Sequence, residues 1–171
     1  MDGKKFTPLQ ARPKIKQYCA YQERCHQEVK DKLYSFGLHK SDVEPIISEL
    51  IEENYLNEER FAILYAGGKF RLKQWGSIKI KQALKEKNVS DYCIKKALKQ
   101  ITPADYYQTL LKVAELKLKT LRGEKNIFTK RTKLQNYLTQ KGYGFDEVKN
   151  MINELIVEKK KSLILFNKKG D

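Results

Sequence analysis

LIEENYLNEERFAILYAGGKFRLKQWGSIKIKQALKEKNV, residues Leu50 to Val89, is the stretch that decides the fold. It reads as the end of one helix, a tight link, a long helix, a break and another helix. Asn57 is a good N-cap, and Glu58 and Glu59 follow in the first turn, where carboxylates favour the positive end of the helix dipole. Phe61, Ala62, Leu64 and Tyr65 recur at helical spacing and are expected to face a core. Gly67-Gly68 weakens that helix at its middle, by roughly 1 kcal/mol per glycine relative to alanine. Trp75-Gly76-Ser77 supplies a break and a cap, and Ile78, Ile80, Ala83 and Leu84 open the next apolar stripe.

Working outward, the same unit recurs. Gly37, Asn88 and Gly142 are residues able to take the left-handed conformation at a helix end. Eight positions before them stand Val29, Ile80 and Leu134; four before, Leu33, Leu84 and Leu138; one after, Leu38, Val89 and Tyr143. Six after stand Val43, Ile94 and Val148; ten after, Ile47, Leu98 and Ile152; thirteen after, Leu50, Ile101 and Leu155. The columns align without a gap, with reference residues 51 and 54 positions apart. Self-similarity at a period of about fifty residues marks a repeat array. The fold is therefore expected to be all-α: three tandem three-helix repeats in an elongated array, straight or curved, each copy leaning on its neighbour because one alone buries little.

The leading helices are expected over Lys14–Arg24, Glu58–Leu72 and Ala104–Leu121. A second helix is expected from Gln27 to Phe36, and a third one capped by Asp42, with Pro45 in its first turn and Val43, Ile46, Ile47, Leu50 and Ile51 buried. In the third copy Tyr106, Tyr107, Leu110, Leu111, Ala114 and Leu118 form the leading stripe. The organisation reads as a flexible leader (1–13), repeat 1 (14–55), repeat 2 (56–101), repeat 3 (102–158) and a basic tail (159–171).

The chain has 171 residues and a formal net charge of +14, which points to a polyanion or an acidic protein surface as partner. The charge is uneven. Residues 1–59 carry nine basic and eleven acidic side chains, residues 60–101 eleven and two, and residues 102–171 fifteen and eight. The basic patch of the second copy is thus the candidate binding surface: Lys69, Arg71, Lys73, Lys79, Lys81, Lys85 and Lys87, with Phe70 and Trp75 among them. Lys81 and Lys85 lie one turn apart, where like charges meet at a small cost unless a partner compensates. Trp75 could stack on a base, although packing between repeats is the commoner use of such a ring. Arg60, just after the cap, is expected to pair with a neighbouring glutamate or a helix C-terminus.

Catalysis finds little support in the residues. His26 and His39 are the only histidines, with no nucleophile set beside a base, no glycine-rich phosphate loop and no HExxH. Glu52-Glu53 and Glu58-Glu59 read as caps and solvated helix faces. Cys19, Cys25 and Cys93 are widely spaced, without a CxxC, and read as small buried hydrophobes of a reducing cytoplasm. No cofactor, metal site or membrane span of about 20 apolar residues is expected.

Two strings carry a resemblance. Tyr55-Leu56-Asn57-Glu58-Glu59-Arg60-Phe61-Ala62 is similar to a helix end followed by Leu-Asp/Asn-Asp/Glu-x-Arg-Phe/Tyr-Ala. Gly76 to Val89 is similar to Gly-x-x-x-Ile-x-x-x-Leu-x-x-Lys-Gly-Ile/Val, with Asn88 standing where glycine is usual. Together they resemble the RecX family of bacterial recombination regulators, over roughly Lys14 to Leu155. The resemblance implies tandem three-helix repeats, with Arg60, Phe61, Ala62 and Gly76 as motif residues. It also implies a non-enzymatic role: lodging in the groove of the RecA recombinase filament on single-stranded DNA, and restraining ATP hydrolysis, filament growth and strand exchange. The partners expected are that filament and, weakly, single-stranded or duplex DNA, for a monomeric cytoplasmic protein. The competing reading is a direct DNA-binding protein whose three-helix units act as helix-turn-helix readers.

Overall fold

A computed structural model describes residues 5–155. Among these the secondary structure is helical throughout: α1 (Pro8–Tyr21), α2 (His26–Ser35), α3 (Lys40–Glu52), α4 (Glu58–Lys73), α5 (Ser77–Glu86), α6 (Asp91–Lys99), α7 (Pro103–Thr120), α8 (Ile127–Gln140), and a ninth helix, α9, at 145–155. This is the all-α, tandem three-helix architecture expected from the repeat. Gly37 (φ 82°), Asn88 (φ 57°) and Gly142 (φ 92°) are all left-handed, so the three aligned columns share one backbone device. Each lets the second helix of its module stop and the third begin at once.

The chain divides into two compact units. Unit 1 comprises residues 1–68 and 81–100, and unit 2 residues 69–80 and 101–171. The division does not follow the repeat boundaries: α4 passes from unit 1 to unit 2 after Gly68, and α5 passes back after Ile80.

In unit 1, α1 to α3 enclose Ala11, Ile15, Cys19, Val29, Leu33, Val43, Ile46, Ile47 and Leu50, with Leu56 closing the cluster. Ala11, Ile15 and Cys19 are four apart and line one face of α1. The expected flexible leader is corrected here for residues 5–13. Thr7 caps α1, accepting from the Gln10 N–H while the Gln10 side chain accepts from the Thr7 N–H, and Pro8 occupies the first helical position, where its missing N–H is no loss. Of the two prolines in residues 1–13, Pro8 marks the helix start and Pro13 lies inside α1. Residues 1–4, and the basic tail at 159–171, lie outside the described residues.

Two more expectations need correction. His39, not Asp42, occupies the N-cap of α3, so Pro45 falls inside that helix rather than in its first turn. Several residues assigned to buried stripes face solvent instead: Ile51, Leu64, Ile78 and Tyr107. A helix buries a narrower arc than the apolar pattern suggested, and the buried set on α4 within unit 1 is Phe61, Ala62 and Ala66.

In unit 2, α7, α8 and α9 enclose Leu110, Val113, Ala114, Leu118, Leu134, Leu138, Tyr143, Val148, Met151, Ile152 and Leu155. Phe70, from the end of α4, stacks on Tyr106, whose ring meets Tyr143 edge-on. The turn at Gly142 is seated directly on the start of α5. The Gly76 N–H donates to the Lys141 carbonyl (2.8 Å) and the Ile78 N–H to the Gly142 carbonyl (3.1 Å). A Cβ on Gly76 would lie 2.2 Å from the Gly142 oxygen, so glycine is required by close backbone approach. The other turns show the same habit within unit 1. Lys87 and Asn88 bond to Glu28 and Gln27 at the start of α2, and the Phe36 carbonyl accepts from the Phe6 N–H.

Candidate functional site

The basic residues grouped by the sequence fall in different units, and they keep different company. Lys81, Lys85 and Lys87 belong to unit 1. Lys85 meets Asp91 at 3.2 Å on an exposed surface. Lys87 donates to Glu28 at 2.7 Å and lies over the Tyr65 ring; the glutamate, first among several causes, holds its ammonium above the usual lysine range. Glu28 also accepts from the Cys25 N–H at the start of α2, so Lys87 is tied into a helix cap. Lys81 is exposed.

Lys69, Arg71, Lys73 and Lys79 belong to unit 2. Arg71 and Lys73 are exposed at the C-terminal end of α4, where cations complement the helix dipole. The ammonium groups of Lys69 and Lys79 lie 5.0 and 4.9 Å from the centre of the half-buried Trp75 ring. Lys79 also donates to the Gln140 carbonyl at the end of α8 (3.2 Å), and Lys141 donates to the Lys73 carbonyl at the end of α4 (3.0 Å). Tyr137 repeats the motif, with Lys117 at 4.9 Å and Lys141 at 5.8 Å from its ring. Sequence reasoning missed Lys117, Tyr137 and Lys141, because only the seating of Gly142 on Gly76 brings them beside the patch.

Charge follows the same division. Unit 1 carries sixteen basic and thirteen acidic side chains, net +3, whereas unit 2 carries nineteen and eight, net +11.

The motif residues have structural duties. The Arg60 Nε donates to Glu23 at 2.6 Å, while its two terminal nitrogens reach the Asn54 side chain and carbonyl, each at 3.0 Å. Asn54 is left-handed (φ 61°), so Arg60 clamps the chain reversal between α3 and α4. Asn57 accepts from the Arg60 N–H as the cap expected. Phe61 and Ala62 are buried.

A depression of about 630 Å³ beside this clamp is lined by Asn57, Glu59, Arg60, Ile63 and Leu64. Its ionic groups are engaged elsewhere, Glu59 with Lys96 and Arg60 with Glu23. Among the described residues no group of three or more His, Cys, Asp or Glu side chains could hold a metal ion, and no helix is long and apolar enough to cross a membrane. Cys19, Cys25 and Cys93 are free and buried, and burial pushes the Cys19 thiol up to about 11.

These features define a tandem three-helix repeat protein whose second and third modules are rich in lysine and arginine. Comparison with known proteins identifies the kind. Residues 57–98 match the model of the second three-helix domain of RecX, and residues 104–152 that of the third. The Regulatory protein RecX of Clostridium tetani is 33% identical over 134 residues, covering 78% of this chain and 61% of that protein. That of Clostridium botulinum is 32% identical, with 78% and 62% covered. The crystal structure of RecX from Lactobacillus salivarius superposes with a TM-score of 0.79 at 27% identity, covering 88% of this chain and 97% of that one. The chain belongs to the RecX family. It spans about three fifths of the length of the curated relatives it matches.

Proposed function

We propose that this chain is a non-enzymatic cytoplasmic regulator of homologous recombination and DNA repair, including the SOS response. It binds the RecA filament on single-stranded DNA and restrains its ATPase, its growth and strand exchange. The observation that carries this reading is the family membership, held by two successive three-helix domains and by relatives described as regulatory proteins. The physical rationale is multivalency: several small modules in one chain engage a repeating partner at many points, so each contact can be weak while the whole is tight. The basic residues of the second and third modules supply the attraction to a polyanionic filament.

The test is the single-strand-DNA-dependent ATPase of the cognate recombinase, titrated with the protein far below one per subunit. Inhibition at sparse occupancy is expected. Inhibition only when the protein coats all the DNA would reassign it as a DNA binder. Charge reversal at Lys79, Lys81 and Lys85 is expected to weaken filament binding with helicity intact, measured by co-sedimentation and circular dichroism.

A further inference from the structure

Gly68, in the Gly67-Gly68 pair at the middle of α4, has no local cause. Neither glycine of the pair is left-handed, unlike Gly37 and Gly142, and a Cβ on Gly68 would meet nothing within 4 Å, unlike one on Gly76. Alanine would fit at position 68 and would favour the helix by about fivefold in the local helix–coil equilibrium.

The place of the pair supplies a cause. On its N-terminal side Phe61, Ala62 and Ala66 are buried in unit 1, and on its C-terminal side Phe70 is buried in unit 2, stacked on Tyr106. Residues 67–69, between these anchors, are only half-buried, and the division between the units falls directly after Gly68. The chain crosses between the units twice more: in α5 after Ile80, and in the non-helical link of residues 100–102 between α6 and α7. Rotation about the line through the two helical crossings stretches neither helix, and the link takes up the rest. Sharp helix bends occur at proline or at glycine and serine pairs. α4 carries such a pair at its crossing, whereas α5 has none there and can only curve, so α5 limits the swing.

We propose that α4 is a hinge helix, bending at Gly67-Gly68 so that its two halves change their angle. The use of the hinge rests on the filament reading: a chain that bends keeps two sets of contacts on a partner whose repeat spacing varies. A rigid chain loses one set, and the avidity with it, as soon as the geometry fails.

Nitroxide labels at Tyr34→Cys in unit 1 and Leu116→Cys in unit 2, both exposed positions, report the motion by pulsed double electron–electron resonance. The native cysteines are buried and shielded from the label. A broad distance distribution is expected, narrowing in Gly68→Ala, while a pair inside unit 1, Leu9→Cys with Tyr34→Cys, stays narrow in both. Exchange of the amides at 68–72, whose helical bonds close on residues 64–68, should slow about fivefold in Gly68→Ala. Leu64→Gly is the control for position, a glycine at an exposed site of the same helix within unit 1, and should leave the distances between residues 34 and 116 unchanged.

Equal widths in the parent chain and Gly68→Ala overturn the hinge. So does a parent distribution as narrow as that of the pair inside unit 1, or one that Leu64→Gly broadens further, which would make softness a property of the whole helix. Gly68→Ala is then titrated into the recombinase ATPase assay, where narrowed distances with severalfold weaker inhibition support the stated use. Narrowed distances with unchanged inhibition remove that use and leave the hinge standing. No inhibition by the parent chain would remove the filament reading, with the hinge still decided by the distances.

Discussion

The two compact units both lay cations over aromatic rings, but among the described residues they differ in how many cations also meet a carboxylate. In unit 1 several cations sit opposite carboxylates, Arg12 and Lys16 on Glu49 and Glu53, Lys30 on Glu44, Arg60 on Glu23, Lys87 on Glu28 and Lys96 on Glu59, while Lys14, Arg24 and Lys32 lie against rings. In unit 2 Lys133 pairs with Glu124, but Lys79, Lys117 and Lys141 are laid against rings and helix-end carbonyls. Each exposed pair is screened by solvent and contributes little to stability, so the contrast matters less for folding than for what is left over. Unit 1 is left with a net charge of +3 and unit 2 with +11, so the stronger attraction for an anionic partner lies with unit 2.

That contrast can be broken or sharpened experimentally. The largest effects should come from the cores, where the units ought to behave alike. Leu33→Ala in unit 1 and Leu138→Ala in unit 2, both fully buried, should each cost roughly 2–5 kcal/mol in denaturant unfolding. A much smaller loss in either would show that its core is loosely packed. Next comes Gly76→Ala, which sets a Cβ against the Gly142 carbonyl. It should cost about 1–3 kcal/mol and release hydrogen-exchange protection at residues 76, 78 and 141–143, leaving α1–α3 protected.

Arg60→Lys follows, at about 1–2 kcal/mol, because an ammonium cannot span Glu23 and both Asn54 acceptors. Its loss should register in unit 1 amides by hydrogen exchange. Gly68→Ala has the opposite sign. A Cβ there meets nothing within 4 Å, so helix propensity should stabilise by about 0.5–1 kcal/mol in thermal melts.

The smallest effect is on pH. Lys30 holds the Glu44 carboxyl, and Arg12 with Lys16 the Glu49 carboxyl, below the usual 4.5. The stability these pairs contribute is therefore present above pH 4.5 and lost as pH falls through the lower folded-state values. Hydrogen exchange between pH 5 and 3 should show α1 and α3 loosening, and Glu44→Gln with Glu49→Gln should abolish that dependence.

Much of this molecule was legible in the sequence because its signals are local or periodic. The alignment of Gly37, Asn88 and Gly142 needed only the chemistry of a left-handed helix end, and Arg60 could be assigned an ion pair from its place after a cap. What escaped was long-range. Nothing around Lys87 announces Glu28, 59 residues away, as its partner. Gly76 looks like a break signal, yet it is glycine because the backbone of the third module rests on it. Thr7-Pro8 is ambiguous in the sequence, since proline marks both loops and helix starts, and the seating of Phe6 on Phe36 is a long-range contact that the local pattern does not announce. Of the lysine–ring contacts in unit 2, those of Lys69 and Lys79 with Trp75 join near neighbours in the sequence, whereas those of Lys117 and Lys141 with Tyr137 come from a module outside the patch.

The three cysteines have a consequence beyond packing. All are buried and free, and the thiol of each is shifted upward chiefly by that burial. A thiol must ionise and meet solvent before peroxide can oxidise it. Peroxide therefore meets thiols that are both sheltered and un-ionised near neutral pH, and modification of Cys19, Cys25 or Cys93 requires the surrounding core to open first.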